Sequence, residues 1–268
     1  MLVKNLNDQL SIILVKGADS KKFLQGQLTN DINQLDGQNF QLTAHLNNKG
    51  RILASFIITK PAENTYYLIT PSEIVANILP RLKMFVLRAQ VTIDQLNLNV
   101  IFSNKKLSQN TIIEFTHEYF LTLTESTMDN ASLEEKEWKN FLIKRGIPLI
   151  YSQTQGLFLP QHVNYDLLEG VNFKKGCYTG QEIVARTHYL GKVKRRMYRF
   201  ICDFEAAIGQ AVVSPKLDNQ EIGVIVEVVK RDHNYLGLVS LQLDCIEEAF
   251  LDTANTQQLL IQSIEYGK

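Results

Sequence analysis

Cys177 stands in the most basic stretch of the chain, FKKGCYTGQEIVARTHYLGKVKRR, residues 173–196. Lys174 and Lys175 precede it and TGQE follows, which are the residue types of an anion site or a reactive thiol. Thr179 and Glu182 have capping-box spacing and predict a helix through QEIVARTHY that starts at Thr179. A thiol just ahead of a helix N-terminus, beside two lysines, is held toward its thiolate, the form that attacks and binds metal. A small residue packed beside Gly176, with lysines facing water, is the plainer alternative. His188 cannot serve as its base, because nine residues of helix beyond Thr179 carry it about 14 Å away. Lys192, Lys194 and Arg196 alternate along an expected strand and so share one face. Such a stripe suits phosphates of RNA; solvated strand residues have the same pattern.

The other chemistry-bearing residues are sparse. The three cysteines, Cys177, Cys202 and Cys245, are odd in number and far apart, which excludes a disulfide framework and suits a reducing cytoplasm. Three thiols fall short of the four that usually hold an iron–sulfur cluster. None of the five histidines pairs at the i, i+4 spacing of a helical zinc site. Balanced charge, 28 basic against 28 acidic residues, gives no global pull toward nucleic acid or acidic lipid. No run approaches the roughly 20 apolar residues of a membrane span, and the N-terminus reads as a strand rather than a signal peptide.

At 268 residues the chain can build two or three domains. Leu10–Lys16 is a strand ending at Gly17. Asp19 or Ser20 then caps a short helix. Arg51–Thr59 and Thr65–Thr70 pair across the turn-rich KPAEN, and Pro71–Leu87 has helical spacing that Pro80 should break or kink. AQVTI and LNLNVIF are further strands. Ser132–Gly146 is a helix with acids early, bases late and Gly146 as its C-cap. After Tyr189 the pattern becomes strands and turns. The expectation is an α+β protein, mostly antiparallel, with α+β subdomains over residues 1–190 and a small β-barrel over 191–268.

KKGCYTGQEIVAR followed by YLGKVKRRMY closely resembles the signature of the YgfZ family, folate-binding proteins related to the aminomethyltransferase (T-protein) of the glycine cleavage system. GADSKKFLQGQLTND (17–31), NKGRILASF (48–56), FVLRAQVTI, the W…RGIPLI spacing and FLPQHVNYD resemble the family's other segments in the same order. The resemblance implies a three-lobed architecture: two intertwined α+β lobes and a C-terminal β-barrel around a central opening. It implies bound tetrahydrofolate and a role in assembling or maintaining iron–sulfur clusters, those of tRNA-modifying enzymes included. Cys177 matches the family's functional cysteine, and the partners implied are iron–sulfur enzymes or their assembly factors, with tRNA contact as a further option.

A pterin needs an apolar slot and a few directed hydrogen bonds, and its glutamate tail needs cations. On the resemblance, Trp138 occupies the folate-site position and Leu10 a place that gives only apolar contact. Asn30 and Asp31 can bond the pterin edge or cap the next turn, Arg88 can meet the tail, and Lys175 adds a cation. Two departures stand out. Ser55, in KGRILASF, replaces the transferase's mechanistic aspartate, and a hydroxyl supplies neither its charge nor its basicity. Lys144 stands where the transferase has a glutamate facing the pterin. Ordinary aminomethyl transfer is therefore not expected.

Overall fold

The structure, a computed structural model, describes residues 3–107, 111–126 and 136–266. Three antiparallel sheets carry it. The first has the order β3-β4-β5-β2-β6, from β2 (Leu10–Lys16), β3 (Gln41–Leu46), β4 (Ile52–Ala62), β5 (Thr65–Pro71) and β6 (Thr92–Leu96). The second is β1-β7-β9-β8, from β1 (Val3–Asn5), β7 (Asn99–Ser103), β8 (Thr111–Thr116) and β9 (Tyr119–Thr124). The first strand of the chain thus belongs to the second sheet, so the two lobes interleave.

Both faces of the first sheet are covered, which is why β2 reads as a continuous apolar run rather than an alternating one. Leu10 and Ile12 face a large core shared by all three sheets. Ile13 and Val15 face a separate core under helix α1 (Ser20–Gln27) and helix α2 (Val75–Met84). Pro80 does not break α2, which continues through it to Met84. Val75, Ile78 and Leu82 anchor the helix on the sheet, and Ala76, whose carbonyl loses its donor, is exposed to water. Asp19 precedes α1 without capping it; its carboxylate instead accepts from the Gln90 N–H at 2.8 Å.

Helix α3 (Lys136–Arg145) follows; residues 132–135 of its expected span lie outside the described residues. Its stop is the expected one. Gly146 takes φ of 64°, and the Ile147 N–H reaches back to the Leu142 carbonyl at 2.9 Å, a Schellman-type closure. Trp138, Phe141, Leu142 and Ile143 are buried, each contributing roughly 1.5–3 kcal/mol through apolar burial.

The third sheet has the order β11-β12-β13-β10-β14, from β10 (Arg195–Cys202), β11 (Ala211–Ser214), β12 (Gln220–Arg231), β13 (Asn234–Gln242) and β14 (Leu260–Gln262). Phe250 bridges Val213 of β11 on one side and Gln258, just before β14, on the other. These bridges link edge strand β11 to the segment just before β14, the strand at the opposite edge of the sheet. Helix α4 (Gln181–Tyr189) leads into this lobe from the basic segment.

Candidate functional site

A cavity of about 1270 Å³ opens between β3 of the first sheet, β8 of the second sheet and helix α3. Gln34, in the 3-10 turn Ile32–Gly37, and Gln41 and Leu42 of β3 line one side. Phe115 of β8 and Phe141, Lys144 and Arg145 of α3 line another. The loop 166–174, the end of α4 and the tail residues Glu265 and Tyr266 complete the wall. At the mouth, Phe173 and His188 stack with centroids 3.7 Å apart and planes 12° apart. Tyr189 stands edge-on to the His188 ring at 4.7 Å. The opening therefore combines apolar and amide side chains, a flat aromatic shelf and charges of both signs, Lys144, Arg145 and Lys174 against Asp166, Glu169 and Glu265.

The nominated residues distribute unevenly around it. Asn30 lines the cavity, but both hydrogens of its amide are spent, on the carbonyls of Leu42 at 2.9 Å and Glu169 at 2.8 Å. Asp31 turns away and caps the Ile32–Gly37 turn through the Asn33 N–H at 3.1 Å. Trp138 is 1% exposed and lies behind the wall, packed on Phe102, Phe115 and Phe141; Phe141 is the ring of this cluster's helix that reaches the cavity. Leu10 is sealed in the shared core, and Arg88 is exposed and away from the lining.

Lys175 is buried. Its ammonium donates to the Leu28 and Asn30 carbonyls, each at 2.7 Å, and desolvation pulls it down to about 8 while Asp31 pulls it back up. It thus clamps the turn after α1 from within. Ser55 is likewise sealed: its hydroxyl accepts the Ile150 N–H at 2.8 Å and it does not line the cavity. Ser55 thus forms a structural tie between β4 and the segment after α3.

Cys177 is exposed, as a reactive thiol must be, but it opens on a different cleft. This one, about 540 Å³, is lined by Lys21, Lys22 and Gln25 of α1 together with Asn33, Asn64 and Gly176. The expected capping box does not form. α4 starts at Gln181, with Gly180 as N-cap at φ of 79° and no side-chain cap, so four residues rather than two separate Cys177 from the helix. Gly180 is required by packing: a Cβ there would meet the Asn47 carbonyl oxygen at 2.3 Å and the Gly50 Cα at 3.0 Å. The NNKG turn (47–50) and the cysteine motif are thus pieces of one joint.

The basic stripe is also revised. Lys192 and Lys194 precede β10, and Arg196 is not a free cation. It makes a bidentate pair with Asp166 at 2.6 and 2.9 Å. Among the described residues, no group of three metal-ligating side chains occurs, and no helix is long and apolar enough to cross a membrane.

Interleaved α+β lobes and a third antiparallel lobe around a central cavity define the aminomethyltransferase fold. The chain matches the crystal structure of glycine cleavage system aminomethyltransferase T from Bartonella henselae with a TM-score of 0.73 at 12% identity, over 98% of this chain and 85% of that one. At this identity the likeness is one of fold. No family model matches the chain. It is 34% identical over 244 residues to an uncharacterized protein of Haemophilus influenzae, spanning 88% of this chain and 86% of the relative. It is 33% identical over 272 aligned residues to the tRNA-modifying protein YgfZ of Buchnera aphidicola, spanning 87% of this chain and 80% of that protein. The chain belongs to the YgfZ family.

Proposed function

We propose that the protein is a tetrahydrofolate-binding accessory factor that assembles or maintains iron–sulfur clusters, those of tRNA-modifying enzymes included, with Cys177 as its reactive group. The observation that carries this reading is the cavity of about 1270 Å³ between β3, β8 and α3. Drug-sized ligands occupy pockets of roughly 300–1,000 Å³ with apolar walls and a few convergent polar groups, and this cavity has room for a pterin with its tail leading out. Leu42, Phe141 and Val171 supply apolar wall. Lys144, Arg145 and Lys174 offer cations to a glutamate tail, in a lining that also holds Glu169 and Glu265. These residues fit the cofactor.

When bound, tetrahydrofolate supplies a reduced pterin able to carry a one-carbon unit. The chain's own residues hold and orient it. Ser55 provides no carboxylate at the transferase position, which weighs against aminomethyl transfer. Cys177, accessible in its own lysine-bordered cleft, is free to engage cluster iron or a partner's sulfur, the cluster being substrate rather than resident cofactor. Three free cysteines suit the reducing cytoplasm where such enzymes work.

The test is complementation of a strain lacking the gene, read as iron–sulfur enzyme activity and tRNA methylthiolation. Cys177→Ser should fold with wild-type melting behaviour and fail to restore either. Full restoration would remove the thiol from the mechanism.

A further inference from the structure

The turn that closes α2 carries three large apolar side chains that the fold leaves in water. Met84 is 73% exposed, Phe85 36% and Leu87 88%, within four consecutive residues. Single exposed apolar residues are ordinary, but a run of them marks a contact surface. The neighbouring Leu82 and Val86 pack on the core under α1 and α2, so the segment is already anchored from within. Leu87 also stands against its own backbone. Its φ is 49°, and the other described non-glycine residues with positive φ are Asn, Asp or Glu. A left-handed backbone is sterically costly for a leucine, whereas Gly and Asn tolerate it. The Ala89 N–H closes the turn on the Val86 carbonyl at 2.8 Å, a bond that needs no apolar side chain at position 87. Strain held at an exposed leucine points to a contact outside the chain.

The same stretch, RLKMFVLR (81–88), holds three cations and no acid. Lys83 pairs with Asp94 at 2.9 Å. Half-buried Arg81 gives its Nε to His45 and lies over the Phe85 ring at 5.7 Å, and Arg88 is exposed; neither has a carboxylate partner among the described residues. We infer that this turn is a docking surface for an acidic segment of a partner protein. An apolar side chain of that segment sits on Met84 and Leu87, and its carboxylates meet Arg81 and Arg88. Met, Phe and Arg are residue types enriched in such interfaces, and a planar guanidinium can receive a carboxylate through two hydrogen bonds. A lipid surface fits less well, because electrostatic lipid recognition takes clusters of about 4–8 cations. The turn is also tied to the cysteine cleft. Gln90 donates its N–H to the Asp19 carboxylate at 2.8 Å and accepts from the Asp19 N–H at 3.3 Å. Ala18, next in the chain, lines the cleft that holds Cys177. The docking surface and the exposed thiol are thus joined through the start of α1. Docking of this kind requires neither folate nor a cluster.

The experiment selects peptides from a displayed random library on the wild-type protein, counter-selects them on Leu87→Asn, and measures the surviving peptides by fluorescence anisotropy. The survivors should carry Asp and Glu around a large apolar residue. Leu87→Asn should bind them about tenfold more weakly, the scale of a lost interface anchor. It should melt no lower than the wild type, since asparagine relieves the left-handed backbone. Arg88→Glu should weaken binding as well, and wild-type affinity should fall as salt rises. Survivors without acidic residues, or peptides held equally by the wild type, Leu87→Asn and Arg88→Glu, overturn the inference. So does a selection that yields no peptide. A Leu87→Asn protein that melts several degrees lower, or fails to fold, overturns it too, because Leu87 would then serve the chain itself. Vesicles of phosphatidylserine and phosphatidylcholine that bind the wild type and not Leu87→Asn, with no peptide selected, overturn it in favour of lipid.

Discussion

Replacing Ser55 tests whether this position, which the sequence resemblance aligns with the transferase's aspartate, is structural in this chain. Ser55 and Ile150 are both fully buried, and the Ser55 hydroxyl is the acceptor for the Ile150 N–H at 2.8 Å. Ser55→Ala orphans that donor, which costs about 1–3 kcal/mol. A loss near 2 kcal/mol lowers Tm by roughly 4–8 °C in a protein of this size. Ser55→Asp puts a carboxyl into the same space with the Ile150 N–H and the buried Tyr165 hydroxyl to receive it but no cationic partner among the described residues, and such a buried charge costs several kcal/mol. Burial raises the folded-state pKa of that carboxyl above its unfolded value near 3.9. The folded state then holds the proton longer, so the deficit against wild type is small near pH 4 and grows as pH rises toward 7. The assay is urea unfolding followed by near-UV circular dichroism at pH 4, 5.5 and 7, with aminomethyl transfer to tetrahydrofolate measured in parallel. A Ser55→Ala loss below about 0.5 kcal/mol would refute the structural role. A Ser55→Asp protein as stable as wild type at pH 7 and active in transfer would refute the argument entirely.

Acid sensitivity should come from His45 together with His162, which burial also lowers to about 4. His45 is fully buried, and burial lowers it from 6.5 to about 4. Arg81 Nε donates to its Nε2 at 3.1 Å, so the ring is neutral and its Nδ1–H serves the Gln27 carbonyl. Unfolded His45 takes up a proton below pH 6.5 and folded His45 does not until about 4, so stability falls through this window by about 3 kcal/mol on acidification. A His45→Gln protein with the same acid profile in urea unfolding would contradict this. Trp138→Phe should keep tetrahydrofolate affinity within a few fold, whereas Phe141→Ala, which strips the wall, should lower it about tenfold; the reverse order would place Trp138 in the site. Arg196→Lys loses the bidentate geometry with Asp166 and should cost about 2 kcal/mol of stability without changing any tRNA affinity, while Lys192→Glu with Lys194→Glu should lower such affinity if the basic segment touches RNA. Filter binding across a salt series separates the two.

Much of this was readable from residues alone, and the omissions have physical causes. Spaced glycines and turn residues announce themselves, so the C-cap at Gly146, the β4–β5 hairpin and the cysteine motif were legible. β3 was not, because QLTAHL is buried along its whole length and so shows neither alternation nor a purely apolar run. With β3 hidden, Gln41 and the floor of the cavity were hidden too. The separation of Cys177 from the cavity has a similar origin. Along the extended turn 174–177, Lys174 lines the large cavity, Lys175 points into the core and Cys177 lines the second cleft. Sequence adjacency cannot show which way each side chain turns. The Thr179 capping box failed because the close approach of Asn47 and Gly50 demands a left-handed glycine at the N-cap, a long-range requirement that outweighs a local pattern.

Titration of tetrahydrofolate into the wild-type protein and into Leu168→Trp addresses the claim on which the rest depends. Leu168 is a half-buried residue of the cavity wall, so an indole there fills the opening without replacing a core residue. The account predicts one tetrahydrofolate per chain on the wild type and a loss of at least tenfold in affinity on Leu168→Trp, at unchanged Tm. Absence of binding to the wild type, or equal binding by the blocked protein, would contradict it.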